Sequence, residues 1–208
     1  MELVKNIKQS KLLKYVFLAL IGSIVLAVSS KIKIPFYPVP MTMQTLAVLV
    51  IGVLFGWKLG IATIILYLFE GIIGLPVFAG TPEKGVGLIY FTGPTMGYLI
   101  GFIPAVFFSG LLNVNYKYNL FARFILNFVL YSFSISFVYI FGLIWLNNFV
   151  QANQLLAFGV LPFLPAEILK ILILSVAITL FNKVTATDNI EIFKISAGKK
   201  GKTPKANN

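Results

Sequence analysis

The chain contains no cysteine and no histidine, and Arg123 is its single arginine. The first two absences exclude disulfides, Cys/His zinc sites, a histidine general base and a cysteine nucleophile. Charge is scarce as well: charged residues make up 11% of the 208 residues, against about 25% in soluble domains. What fills the space is apolar, 59% of the residues, with a mean hydropathy of +0.94. This is the composition of an all-α integral membrane protein rather than a soluble one. A formal charge of +11 would point to nucleic acid in a soluble protein. Here the basic residues lie between apolar spans, so the expected partner is the lipid bilayer and not nucleic acid.

About 20 apolar residues cross the hydrocarbon core as a helix. Six such segments are expected, at 12–30, 42–57, 59–76, 94–112, 121–148 and 159–182. Gly56-Trp57-Lys58 leaves only a tight turn between the second and third, and Asn147-Asn148 with Gln151 and Gln154 divide the fifth from the sixth. An even number of spans puts both termini on one side. That side carries 13 basic residues: Lys5, Lys8, Lys11, Lys14, Lys58, Lys117, Arg123, Lys183, Lys194, Lys199, Lys200, Lys202 and Lys205. The other carries Lys31, Lys33 and Lys84, so both termini are expected in the cytoplasm of a multi-pass cell-membrane protein. The start also resembles a signal peptide, ending at Ala27-Val28-Ser29. Cleavage there would leave five spans and strand the charge pattern, so the first helix is read as retained. Residues 1–188 form the six-helix domain, and the polar, Lys- and Gly-rich tail 189–208 is expected to be disordered.

Several patterns admit two readings. Ala19, Ser23 and Ala27 recur every four residues, a small-residue stripe suited to packing within the bundle or to docking a partner subunit. Gly93, Gly97 and Gly101 bare one face of the fourth segment, for close helix packing or for a ligand. Glu70, near the outer end of the third segment, either binds something or snorkels to the interface. Three prolines in the six residues 35–40 make the first outer connection a stiff extended strap, and residues 74–94 mix glycines with aromatic residues as a binding wall does. Tail residues 196–203 nearly match a phosphate-binding loop. They lack its first glycine, its preceding strand and room for its helix, so no ATPase is expected in this chain.

The sharpest feature lies in the last span. Between Arg123 and Lys183 the only charges are Glu167 and Lys170, three residues apart and so on one helix face. A charge inside a membrane segment costs about 2.5–3.5 kcal/mol on insertion scales. A buried ion pair is weak support for stability, which favours a ligand site over a structural pair.

Three runs carry a resemblance: Pro35-Phe36-Tyr37-Pro38-Val39-Pro40-Met41-Thr42-Met43-Gln44-Thr45, Gly74-Leu75-Pro76-Val77-Phe78-Ala79-Gly80, and Gly93-Pro94-Thr95-Met96-Gly97-Tyr98. With Pro162-Phe163-Leu164-Pro165-Ala166-Glu167-Ile168-Leu169-Lys170, they resemble the BioY family over about residues 12–182. That family comprises the biotin-specific substrate-binding (S) components of energy-coupling-factor (ECF) transporters. The resemblance implies a six-helix S component that binds biotin from outside under a lid made by the first outer loop. It implies work with a transmembrane coupling subunit and two cytoplasmic ATPases, with no cofactor or metal in this chain. It also implies that Ala19, Ser23 and Ala27 face the coupling subunit. Two departures stand out: the last-helix motif usually carries Asp where this chain has Glu167, and Gly80 stands where some relatives have a polar side chain.

Biotin would bring an apolar bicycle, a ureido group and a carboxylate, and a buried site must satisfy each polar atom. Glu167 can accept from a ureido N–H, Lys170 can donate to the ureido oxygen or the carboxylate, and Gln44 offers both amide functions. Phe36, Tyr37, Phe78, Tyr90, Phe91 and Tyr98 are candidate walls. An ion-coupled secondary carrier relaying protons through Glu70 and Glu167 is the alternative, though no internal inverted repeat supports it. An enzyme is not expected, since no nucleophile–base pair or paired carboxylate is evident.

Overall fold

The structure, a computed structural model, describes residues 2–83, 85–111 and 118–181, with side chains from Leu12 onward. The tail 189–208, its loop-like residues 196–203, and Lys84, Lys117 and the lysines after Phe181 lie outside the described residues. Among the described residues seven α-helices follow in order: α1 (Glu2–Lys31), α2 (Gln44–Ile72), α3 (Leu88–Phe91), α4 (Met96–Leu111), α5 (Leu120–Leu146), α6 (Leu155–Gly159) and α7 (Leu164–Phe181), with one 3-10 turn (Ala152–Gln154) before α6. Between α1 and α2, strands β1 (Lys33–Ile34) and β2 (Met41–Thr42) pair antiparallel.

The helix α2 is not one rod. Gly56 interrupts it at φ 73° and ψ 168°, a backbone region open to a residue without Cβ. Past that point the chain runs back along itself. The amide nitrogen of Gln44 donates to the Tyr67 hydroxyl at 2.6 Å, whereas 23 residues of straight helix would separate them by about 35 Å. The expected segments 42–57 and 59–76 are therefore the two arms of α2. The second arm stops at Ile72 rather than 76, because Gly74 adopts φ 97° and Leu75 N–H bonds back to the Glu70 carbonyl at 3.0 Å. The last helix likewise starts at Leu164, not 159. Residues 160–163 form a turn, closed by the Phe163 N–H on the Val160 carbonyl at 2.9 Å.

Among the described residues, four helices are long and apolar enough to cross a membrane: α1 from Leu12, α2, α5 and α7. The helix α4, with 16 residues, is shorter. Its glycines explain how it seats. A Cβ on Gly97 would stand 2.4 Å from the Phe141 carbonyl oxygen, and one on Gly101 would stand 2.6 Å from the Val138 Cα. The bare face of α4 is thus a contact with the α5 backbone, and helix packing accounts for it. On the α2 side Gly52 plays the same part, its Cβ position 2.9 Å from the Val106 carbonyl. Polar side chains join α5 to α7 inside the bundle: Asn127 donates to the Thr179 hydroxyl at 2.9 Å and Arg123 to the Thr179 carbonyl at 3.2 Å.

The small-residue stripe of α1 points inward. Ala19 and Ser23 are buried, Ala27 is half-buried, and the Ser23 hydroxyl donates to the Glu70 carboxylate on the second arm of α2. Packing within the chain fills this face, the first of the two readings of the stripe, and Glu70 is held by it. Large apolar residues such as Leu13, Phe17, Ile24 and Val28 occupy the exposed side of α1.

Because the obstacle at Gly101 is backbone, no rotamer relieves it. Gly101→Leu is expected to force α4 from α5 and cost at least about 1–3 kcal/mol, read as a lower unfolding temperature in detergent.

Candidate ligand-binding site

The outer connection expected as an extended strap is a doubled-back hairpin. Lys33 pairs with Thr42 and Ile34 with Met41, and the Met43 N–H bonds to the Ile32 carbonyl at 3.1 Å. Residues 35–40 form its bend. The hairpin roofs a small cavity with an open mouth. Residues 39–42 form the roof, and Gln44 and Thr45 from α2 form one wall. Tyr98, Leu99 and Phe102 from α4 face Val138 and Tyr139 from α5, while Phe163 and Glu167 close the last side.

Two side chains of the α1 C-terminus hold the second outer loop in place. The Ser30 hydroxyl donates to the Val77 carbonyl at 2.7 Å, and the Lys31 ammonium donates to the Phe78 carbonyl at 2.9 Å. Between them the loop drives Phe78 into the bundle, stacked on Tyr90 with ring centres 4.8 Å apart. Gly71 makes the room, since a Cβ there would meet the Phe78 ring at 2.0 Å. Tyr90 donates to the Ala79 carbonyl at 2.8 Å. Burial pushes the Tyr90 phenol above its ordinary pKa, with a hydrogen bond to Thr95 opposing, so the hydroxyl keeps its proton for that bond.

On that last side, Glu167 and Lys170 form a buried ion pair at 2.7 Å. The Lys170 ammonium has three donors and three acceptors: the Thr42 carbonyl at 2.6 Å, Glu167 Oε1 at 2.7 Å and the Thr45 hydroxyl at 3.0 Å. Thr45 in turn donates to Glu167 Oε1 at 2.8 Å. Glu167 Oε1 therefore accepts two hydrogen bonds, while Oε2 is buried with no hydrogen bond of ordinary geometry, and the Tyr139 phenol lies within reach of the carboxylate. A buried acceptor without a donor costs about 1–3 kcal/mol, more when it is charged.

The structure brings Gln44, Tyr90, Tyr98 and Glu167 onto the wall of this cavity. Lys170 stands behind Thr45 and Glu167, not on the wall. Phe78 and Phe91 lie beneath Tyr90 in an aromatic cluster, Phe36 packs edge-on against Phe163, and Tyr37 is 86% exposed beside the outer mouth. Gln44 is already engaged through the Tyr67 hydroxyl, which itself donates to the Val77 carbonyl at 3.0 Å. Tyr98 donates to the Gly159 carbonyl at 2.9 Å, and Gly142 leaves space for its ring. Sequence reasoning missed Thr45, Thr42 and Tyr139. Thr42 and Thr45, three residues apart on either side of Gln44, were the available signal; Tyr139, within electrostatic reach of Glu167, had none beyond its apolar helix.

A membrane bundle with a small, mostly apolar cavity under a hairpin, and a buried carboxylate among its lining residues, is the architecture of a small-molecule-binding membrane component. The chain belongs to the BioY family, whose model matches residues 4–187. It is 34% identical over 144 residues to "Probable biotin transporter BioY" of Pyrococcus horikoshii, covering 69% of this chain and 81% of that one. It is 33% identical over 173 residues to "Biotin transporter BioY2" of Lactococcus lactis subsp. cremoris, covering 81% and 90%. Its fold matches a crystal structure of the S-component for biotin from an ECF-type ABC transporter, with a TM-score of 0.66 and 26% identity, covering 84% of this chain and 93% of that one.

Removing Lys170 alone strands a buried carboxylate. Lys170→Met is expected to lower stability by about 3–5 kcal/mol, and the double variant Glu167→Gln/Lys170→Met to regain much of it. Unfolding of both in detergent checks this; equal losses would show that the pair is not coupled.

Proposed function

We propose that the chain captures biotin from outside the cell as the S component of an ECF-type transporter. The observation that carries the reading is Glu167, a buried carboxylate that lines the cavity and whose Oε2 has no hydrogen bond of ordinary geometry. A ureido N–H supplies the missing hydrogen bond. The bicycle then lies among Tyr98, Leu99, Phe102 and Val138, where apolar burial contributes about 25 cal/mol per Å². Gln44 and Thr45 sit where a second polar atom of the ring would be met. Lys170 reaches the ureido oxygen only by releasing an acceptor it already holds, and the Thr42 carbonyl, itself an amide oxygen, is the natural one to exchange. Ligand binding would then be felt directly by the hairpin roof. Phe78 and Phe91 shape the wall through Tyr90 rather than meeting the ring.

Six crossings, counting the two arms of α2 separately, and cytoplasmic termini fit this role and the charge distribution. Uptake would draw on a transmembrane coupling subunit and two ATPases. With the Ala19, Ser23 and Ala27 face turned inward, another surface would have to meet the coupling subunit.

Tritiated biotin should bind the purified chain, and Glu167→Gln should weaken it about tenfold or more without unfolding the protein. Near-native affinity in that variant would remove Glu167 from the site. In cells, uptake should disappear when the coupling and ATPase subunits are deleted, and persistent uptake would favour a self-sufficient carrier.

A further inference from the structure

A groove opens at the end of the bundle opposite the cavity. The helix α1 meets α2 closely at Gly22, where a Cβ would stand 2.6 Å from the Thr63 side chain and 2.9 Å from the Phe55 ring. Seven residues earlier, about 10 Å along the axis, Tyr15 and the α2 residues Trp57, Lys58, Leu59 and Ala62 line an open space that Phe55 also borders. Tyr15 stands 16 residues before Lys31, about 24 Å along α1. The groove therefore lies near the far boundary of a hydrocarbon core about 30 Å thick.

Its lining is graded. Tyr15 and Trp57, 55% and 37% exposed, are the amphipathic aromatics that settle at headgroup level. The Lys58 ammonium lies 5.2 Å from the centre of the Trp57 ring, and Phe107 packs edge-on against the same ring at 5.6 Å. Lys14, next to Tyr15 on α1, is exposed. Leu59 and Ala62, further along the second arm of α2, continue the groove as apolar surface. Cation and aromatic first, then aliphatic, is the order in which a phospholipid presents its phosphate, glycerol and acyl chain.

The charge balance points the same way. The carboxylates among the described side chains, Glu70, Glu83 and Glu167, belong to the opposite end, with the cavity and the second outer loop. The one ion pair among the described residues is Glu167–Lys170. The charge complementary to Lys14 and Lys58 lies outside these residues, and the headgroup layer supplies it. We infer that the groove is a binding site for an anionic phospholipid, its phosphate at Lys58 and Lys14 and one acyl chain laid along Leu59 and Ala62 toward Phe55. Seated between α1 and α2 beside their contact at Gly22, the lipid sets the angle at which α1 stands. This site is separate from the cavity and does not rest on the biotin reading.

Trp57 is a reporter within the groove, and Trp145 is the chain's one other tryptophan. The test is quenching of Trp57 in the full-length chain carrying Trp145→Phe, in phosphatidylcholine vesicles containing dibrominated phosphatidylglycerol or dibrominated phosphatidylcholine. Phosphatidylglycerol is expected to bind beside Trp57 about fivefold or more tightly than phosphatidylcholine. Lys58→Gln in that background should cut the preference about fivefold, Lys58→Arg should keep it, and Lys33→Gln at the opposite end should leave it unchanged. Equal quenching by the two lipids overturns the inference. So does a preference that survives Lys14→Gln/Lys58→Gln in protein of unchanged unfolding temperature. A photo-cross-linker at Ala62 should label phospholipid in cell membranes; labelling of a protein subunit in its place gives the groove to that partner and also overturns the inference.

Discussion

One ammonium group organises the outer half of this bundle. Lys170 is the point where the roof, the second helix and the last helix meet, through the Thr42 carbonyl, the Thr45 hydroxyl and Glu167. Its three protons are fully used, so it neutralises Glu167 without entering the cavity. The asymmetry this leaves on the carboxylate is the chemical content of the site. One oxygen is saturated by the protein and the other is not. A buried charge is tolerable only when paired, and a buried polar atom only when bonded. The first condition is met within the chain by Lys170, and the second only for Oε1 among the bonds of ordinary geometry.

The apolar framework makes that node exact in position. Glycines at 52, 97 and 101 let α4 lie against the backbones of α2 and α5, which brings Tyr98 and Phe102 to the cavity and leaves little freedom to shift them. The reversal at Gly56 stands Tyr67 beside Gln44 and so ties the roof end of one arm to the loop end of the other. Lipid-facing residues contribute none of this specificity; the exposed sides of α1 and α5 are simply large and apolar.

Much of this was legible in the sequence, for physical reasons. Spans declare themselves because a membrane demands long apolar runs, and Gly56-Trp57-Lys58 is too short for anything but a turn. Glu167 and Lys170 were visible because charge is rare there. Gln44, Tyr90 and Tyr98 were found through a family pattern, not through periodicity. What stayed hidden has causes too. The Thr42 acceptor is a backbone carbonyl, which no residue type reveals. Thr45 and Tyr139 are ordinary helix residues until a neighbour arrives. Small residues suit an inner or an outer face equally, so the stripe at Ala19, Ser23 and Ala27 could not orient itself. A strand pair of two residues each is too brief to leave alternation, and the prolines at 35, 38 and 40 concealed it.

The attachment of the second outer loop has a mechanical side. Ser30 and Lys31 are the last residues of a continuous helix that begins at Glu2, and both grip the loop that carries Ala79, part of the cavity wall. A helix is stiff along its axis, so the far end of α1 and that wall move as the two ends of one lever. Whatever tilts α1 at the opposite membrane face therefore works directly on the chamber, across the full thickness of the bilayer and without a change in any side chain that lines it.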